Sequence, residues 1–134
     1  MPKTDSGIAA VSTDKAPAYL SFMAQGLIAN GFVFTAAIPR HAGTLEIPAT
    51  FNEQANLAFR NLAAVLDAAG ASMHRLVKLN VYLASLADWA AMNEVYKQYV
   101  NLGQPPVRCT VQIAGLNNGY LIELDAIALA SSVA

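Results

Sequence analysis

An α+β fold, with two helices packed on one face of a mixed sheet, is predicted by three observations on the 134-residue chain. Two segments carry apolar residues at helical spacing, while others show the period of two that marks a strand. Their order is strand(s), helix, strand, helix, strand, strand, which mixes the two types without strict alternation. Hydrophobic residues make up 55% of the sequence and charged ones only 13%, an apolar balance high for a small monomer. The sheet face left free by the helices is then too apolar to meet water, which favours self-association.

Each element has its own signal. Residues 1–15 begin with a polar stretch and read as a flexible leader, followed by one domain over 16–134. Phe32 to Ile38 reads as a strand, with Asn30-Gly31 as the turn before it. A loop spans Pro39 to Pro48. Thr50, with Glu53 three residues on, is a capping box that starts a helix. Ala55, Ala58, Leu62, Val65, Leu66 and Ala69 form its apolar stripe, and Gly70 suits the position just past its end. Val77, Leu79, Val81 and Leu83 alternate with Lys78, Asn80 and Tyr82 in a half-buried strand. Ser85 and Asp88 form a second capping box, opening a helix that runs to about Leu102 and stops at Gly103. Trp89, Met92, Tyr96, Tyr99 and Val100 share one side of it as core, with Asn93 among them. Two final strands, about 107–113 and 120–130, flank the turn Asn117-Asn118-Gly119.

Composition excludes several classes. No stretch approaches the roughly 18–20 unbroken apolar residues of a membrane span. The nearest, Leu27 to Ile38, is broken by Asn30-Gly31. A formal net charge of −1 with no basic cluster argues against a nucleic-acid partner. Cys109 is the only cysteine, so no intrachain disulfide or CxxC site is expected. His41 and His74 stand alone, without metal-ligand spacing. The polar N-terminus lacks a signal-peptide core, which makes the cytoplasm the default compartment.

Chemistry points to the last third of the chain. Arg108 starts an otherwise uncharged strand, and Glu123 sits fifteen residues later inside a second apolar run. A charge in such a place is paired, wetted by a cavity, or kept for a ligand. Arg108 either reaches solvent or a structural carboxylate, or uses its planar fork to clamp a ligand carboxylate. Glu123 is either the buried partner of Arg108 or a general acid/base whose pKa is raised by apolar surroundings. Asn93 either caps a backbone group or lines a polar cleft. Asp125 shares strand parity with Glu123, which puts both on one face. Cys109, with no histidine near it in sequence, reads as a small buried residue rather than a nucleophile.

From about Ala16 to Ala130 the chain resembles the Rid (YjgF) family. The most specific segment is Pro106-Val107-Arg108-Cys109-Thr110-Val111, followed by Ile122-Glu123-Leu124-Asp125-Ala126-Ile127-Ala128. Asn61-Leu62, Val65 to Gly70, Val77 to Leu83 and Met92 to Tyr96 extend the match at the family's spacing. The resemblance implies a chorismate-mutase-like fold and a homotrimer. Its sheets would form a central barrel, with helices outside and three clefts between subunits. It further implies hydrolysis of reactive 2-enamine or 2-imine acids to 2-oxo acids and ammonia, without a cofactor. Arg108 would hold the substrate carboxylate, and Glu123 would activate water. Asn93 and Thr110 would line the cleft, Thr110 through its backbone amide. A non-catalytic trimer that binds small carboxylates is the alternative. Two departures make the implied pocket more apolar. Met23 stands where the family has a tyrosine, and Thr35-Ala36-Ala37-Ile38-Pro39 lacks the family's serine. A bulkier or less polar substrate would suit such a pocket.

Overall fold

The computed structural model describes residues 7–19 and 22–131. It contains strands β1 (Ala9–Val11), β2 (Gly26–Ala29), β3 (Phe32–Ala37), β4 (Leu76–Leu83), β5 (Val107–Gln112) and β6 (Ile122–Leu129). Helices α1 (Phe51–Ala68) and α2 (Trp89–Tyr99) complete the expected α+β architecture. The six strands form one sheet in the order β1-β2-β3-β6-β4-β5. All neighbours are antiparallel except β4 and β5, which run parallel. That parallel pair is possible because α2 crosses between the two strands.

Both helices cover one face of the sheet. Phe59, Leu62 and Leu66 of α1 and Met92 of α2 are fully buried against Val33, Leu79, Val81, Leu83, Ile122 and Leu124. Thr50 accepts a hydrogen bond from the Glu53 amide at 3.2 Å, and its hydroxyl donates to the Glu53 carboxylate at 2.8 Å. Gly70, at φ +76°, ends α1 as expected. The Ala71 amide bonds Leu66 O at 2.8 Å and the Gly70 amide bonds Asp67 O at 3.1 Å, closing a Schellman motif. Gly26 lets β2 run close under α1, since a Cβ there would sit 2.9 Å from Val65 Cγ1.

The buried polar side chains tie loops to this core. Gln25 accepts from the Thr13 amide at 2.7 Å and donates to the carbonyls of Thr13, Ala16 and Pro17. Asn61 donates to Ile38 O and Arg40 O, at 2.9 and 2.8 Å. Gln54 accepts from the Leu121 amide at 2.8 Å, joining α1 to the start of β6.

Four details correct the sequence reading. Within the expected leader 1–15, Ala9–Val11 is a strand paired with β2; residues 1–6 of it lie outside the described residues. The Asn117-Asn118-Gly119 turn does not close a hairpin, because β4 lies between β5 and β6. The second helix begins later and ends sooner than expected. Ser85 caps a short 3-10 turn, Leu86–Asp88, by accepting from the Ala87 amide at 3.1 Å, and α2 stops at Tyr99. Val77 is exposed rather than buried, because the β4–β6 register shifts between Leu76 and Lys78.

The far side of the sheet exposes Leu27, Phe32, Phe34, Val107, Val111 and Leu129. No layer of the described residues covers these six large apolar side chains, as expected from the excess of hydrophobic residues. Among the described residues no helix is long and apolar enough to cross a membrane.

Candidate functional site

Arg108 lies on β5, the edge strand, directly beside Leu79 of β4. Leu79 points into the core, so strand alternation puts Arg108 on the helix-covered face. There its guanidinium sits between two aromatic rings, 4.7 Å from the Tyr96 centroid and 5.3 Å from that of Trp89. Nη1 donates to Asn93 Oδ1 at 2.7 Å and lies 4.0 Å from Met92 Sδ. Asn93 thus fixes the arginine rather than capping a backbone group. Burial raises the Tyr96 pKa, and the positive charge of Arg108 pulls it back.

Arg108 has no carboxylate partner among the described residues. The nearby Glu94 is occupied by Lys97 at 2.9 Å. A cavity of about 380 Å³ opens beside the guanidinium, walled by Trp89, Asn93, Tyr96 and Leu102. Two rings and one amide hold the cation, while the rest of its donor fork stays open to an incoming anion. Thr110 follows on the same face, two residues along β5 and beside Val81. Its Oγ1 is buried without a hydrogen-bond partner among the described residues.

Glu123 lies on the opposite face. Ile122 and Leu124 point into the core on either side of it, so Glu123 faces away from the helices, beside Tyr82 of β4. Asp125 shares that face, as strand parity requires. Its carboxylate accepts from Asn80 Nδ2 at 2.7 Å and from the Tyr82 hydroxyl at 2.6 Å. Burial first, and then the charge of Asp125, raise the pKa of Glu123 above the ordinary carboxylate range. The hydrogen bond to Asp125 is the largest of the causes that push the Tyr82 phenol up to about 12.

A second tyrosine is close to this carboxylate. Tyr19 lines a cavity of about 490 Å³ together with Val11, Thr13, Met23 and Gln25. Its phenol is pushed up to about 12 by burial, then by the negative charge of Glu123, then by Tyr120. Met23 is 63% exposed.

Among the sequence-predicted residues, Arg108, Asn93 and Thr110 therefore gather on one face and Glu123 on the other. Glu123 is not the partner of Arg108 within a chain. Three expectations are corrected. Cys109 is exposed, because it alternates with Arg108 and so faces away from the core. Trp89 is 41% exposed, because it stands at the first position of α2 and forms a cavity wall instead of core. The reading of Asn93 as a backbone cap fails on its bond to Arg108. Sequence reasoning missed Tyr19 and the anchoring of Asp125 by Tyr82 and Asn80. The polar side of β4, Asn80 and Tyr82 at alternate positions, was the available signal for the latter.

Comparison with known proteins agrees with this architecture. The family model described as Endoribonuclease L-PSP matches residues 13–130. TdcF of Escherichia coli strain K12, named provisionally as a reactive intermediate deaminase, is 38% identical over 125 residues, covering 91% of this chain and 97% of that protein. A rat protein named 2-iminobutanoate/2-iminopropanoate deaminase is 34% identical over 122 residues, covering 89% and 88%. The crystal structure of E. coli TdcF with bound serine superposes with a TM-score of 0.85 at 36% identity, covering 92% of this chain and 99% of that one. The chain belongs to the Endoribonuclease L-PSP family, also known as the YjgF/RidA family.

Proposed function

We propose that this protein hydrolyses a reactive 2-enamine or 2-imine carboxylic acid to a 2-oxo acid and ammonia, in the cytoplasm and without a cofactor. The observation that carries the reading is Arg108: a cation stacked between Trp89 and Tyr96, held by Asn93, beside a cavity and with no carboxylate partner among the described residues. Arg108 clamps the substrate carboxylate through its open donors. Asn93 keeps the fork in place, and the Thr110 backbone amide lines the same cleft. Glu123 takes a proton from water as the oxygen attacks the imine carbon. That proton goes to the imine nitrogen, giving a carbinolamine; as the C–N bond breaks, Glu123 carries the hydroxyl proton to the departing nitrogen and the C=O bond forms, so that imine plus water gives oxo acid plus ammonia. A carboxylate with a raised pKa suits both halves of this proton transfer. The deaminase names of the E. coli and rat relatives support the reaction class. The serine bound in TdcF supports a small carboxylate ligand.

The arrangement within one chain adds a requirement. Arg108 and Glu123 lie on opposite faces of the sheet, so a cleft that uses both is formed between copies. We propose a homotrimer, assembled through the face that exposes Phe32, Phe34 and Val107. Arg108 of one copy then meets Glu123 of the next. An exposed Met23 in place of a tyrosine favours bulkier or less polar substrates than the smallest imino acids.

The test is turnover of 2-iminopropanoate and 2-iminobutanoate generated in situ by an amino-acid oxidase. Oxo-acid release well above the buffer rate is expected, with the larger substrate favoured. Release at the buffer rate for every imine tried, with carboxylate bound at Arg108 in crystals, would instead establish a non-catalytic binding module. The loss of the tyrosine hydroxyl at Met23 is the observation that favours this second reading.

A further inference from the structure

We infer that Asp125, held by Tyr82 and Asn80, is a positioning residue that acts on the reaction through Glu123, its charge setting the protonation state from which Glu123 works. The inference rests on the proposed role of Glu123 as the acid/base group. Its basis is geometric. Glu123 and Asp125 are alternate residues of β6, so their Cα atoms are about 7 Å apart on the same face. Asp125 has both carboxylate oxygens engaged, at 2.7 Å to Asn80 and 2.6 Å to Tyr82. Its charge is therefore fixed in place on the sheet. Like charges at this spacing disfavour one another, and the less supported of the two gives way.

Glu123 is the less supported. No protein donor holds it among the described residues, and it is half buried. The titratable groups facing it are Asp125 on its own strand, Tyr82 from β4 and Tyr19 from the loop before β2. Cys109 lies across the same surface from β5. None of these is cationic. Lys78 shares this face of β4 but lies beyond Asn80, beside Ile127, and in the proposed assembly Arg108 of the next copy stands against Glu123, so the upward push of Asp125 acts against that cation. Burial and Asp125 both act on Glu123 in the same, upward direction. The substitution Asp125→Asn keeps the shape and a donor–acceptor set for Tyr82 and Asn80 while removing the charge.

The experiment follows the Glu123 carboxyl carbon by NMR titration in the assembled protein and, in parallel, the acid limb of kcat/KM. Asp125→Asn is expected to move both to lower pH, with the plateau rate falling by less than about tenfold, because a weaker base still serves. Asp125→Glu, which keeps the charge, is expected to leave both near their wild-type positions. Should Asp125→Asn fail to fold, Asp125→Ser removes the same charge from a smaller volume. An unmoved Glu123 titration in the neutral variants overturns the inference, as does an equal shift in Asp125→Glu, which would mean packing rather than charge. Glu123→Gln separates this from the underlying reading. Full activity in that variant sinks the acid/base role and the inference with it. An inactive Glu123→Gln beside a titration indifferent to Asp125 sinks the inference alone.

Discussion

Arg108→Ala is expected to lower kcat/KM for a 2-imino acid by about 10²-fold or more, through a large rise in KM. A bidentate bond from a guanidinium to a carboxylate contributes about 1.5–3 kcal/mol per charged hydrogen bond, and about 1.4 kcal/mol is a factor of ten. The wild-type site is already organised for that contact. Trp89 and Tyr96 stack on the cation and Asn93 holds one of its nitrogens. Arg108→Lys keeps the charge but loses the fork and the stacking, so it is expected to recover only part of the loss. Steady-state kinetics on 2-iminobutanoate checks both variants. Equal rates for wild type and Arg108→Ala would remove the clamp from the mechanism. The stacking also means that Arg108→Ala leaves two ring faces without their cation, so a modest loss of stability should accompany the kinetic effect.

Glu123→Gln is expected to act on kcat instead, lowering it by about 10²–10⁴-fold, the range for loss of a positioned acid/base group. The sign of its pH effect follows from the raised pKa. Wild-type activity needs the ionised carboxylate to take a proton from water, so the acid limb should lie above the ordinary carboxylate range. Stability should move the other way. Within its own chain the fold disfavours the charged form of Glu123, so its ionisation costs folded-state stability as pH rises from the unfolded pKa through the folded one. Glu123→Gln has no such cost and is expected to melt higher than wild type above that window. A dead enzyme that is more stable near neutral pH would tie the strain at Glu123 to its function. A dead enzyme that melts lower would indicate that the carboxylate has a structural role.

Much of the fold is legible in residue pattern. The apolar stripe of α1, with Thr50 at one end and Gly70 at the other, matches the helix found over Phe51–Ala68. The alternation around Leu79, Val81 and Leu83 gives the central strand β4. The misses have physical causes. The three residues of β1 and the four of β2 are too short for periodicity to register, and their strand conformation comes from pairing with one another and with β3. Asn118 and Gly119 do adopt positive φ, the conformation that makes the pair a hairpin signal, yet the sheet inserts β4 between the flanking strands. Strand order is a tertiary property that a local turn does not specify.

The candidate site shows the same division. Parity within β6 correctly places Glu123 and Asp125 on one face, because alternation holds inside a strand. No such rule relates Arg108 on β5 to Glu123 on β6 across a turn. Their spacing in sequence suggests proximity, whereas the sheet sets them on opposite faces. Cys109 illustrates the cost of ignoring that: once Arg108 faces the helices, its neighbour must face the other way. The aromatic pair around Arg108 was visible as an apolar helix face but not as a cation-binding wall. That role appears only when β5 is laid under α2.

The arrangement is tested most directly by complementation. Arg108→Ala retains Glu123, and Glu123→Gln retains Arg108. Assayed at a substrate concentration near the wild-type KM, each variant alone should have at most a few per cent of wild-type activity. Unfolding and refolding the two together in equal amounts should return about a quarter of wild-type activity, since that share of the clefts between copies in a ring pairs an intact Arg108 with an intact Glu123. Native mass spectrometry verifies that mixed assemblies have formed. Recovery at this level is the expected result. Mixed assemblies that stay as inactive as either parent would contradict a site shared between copies.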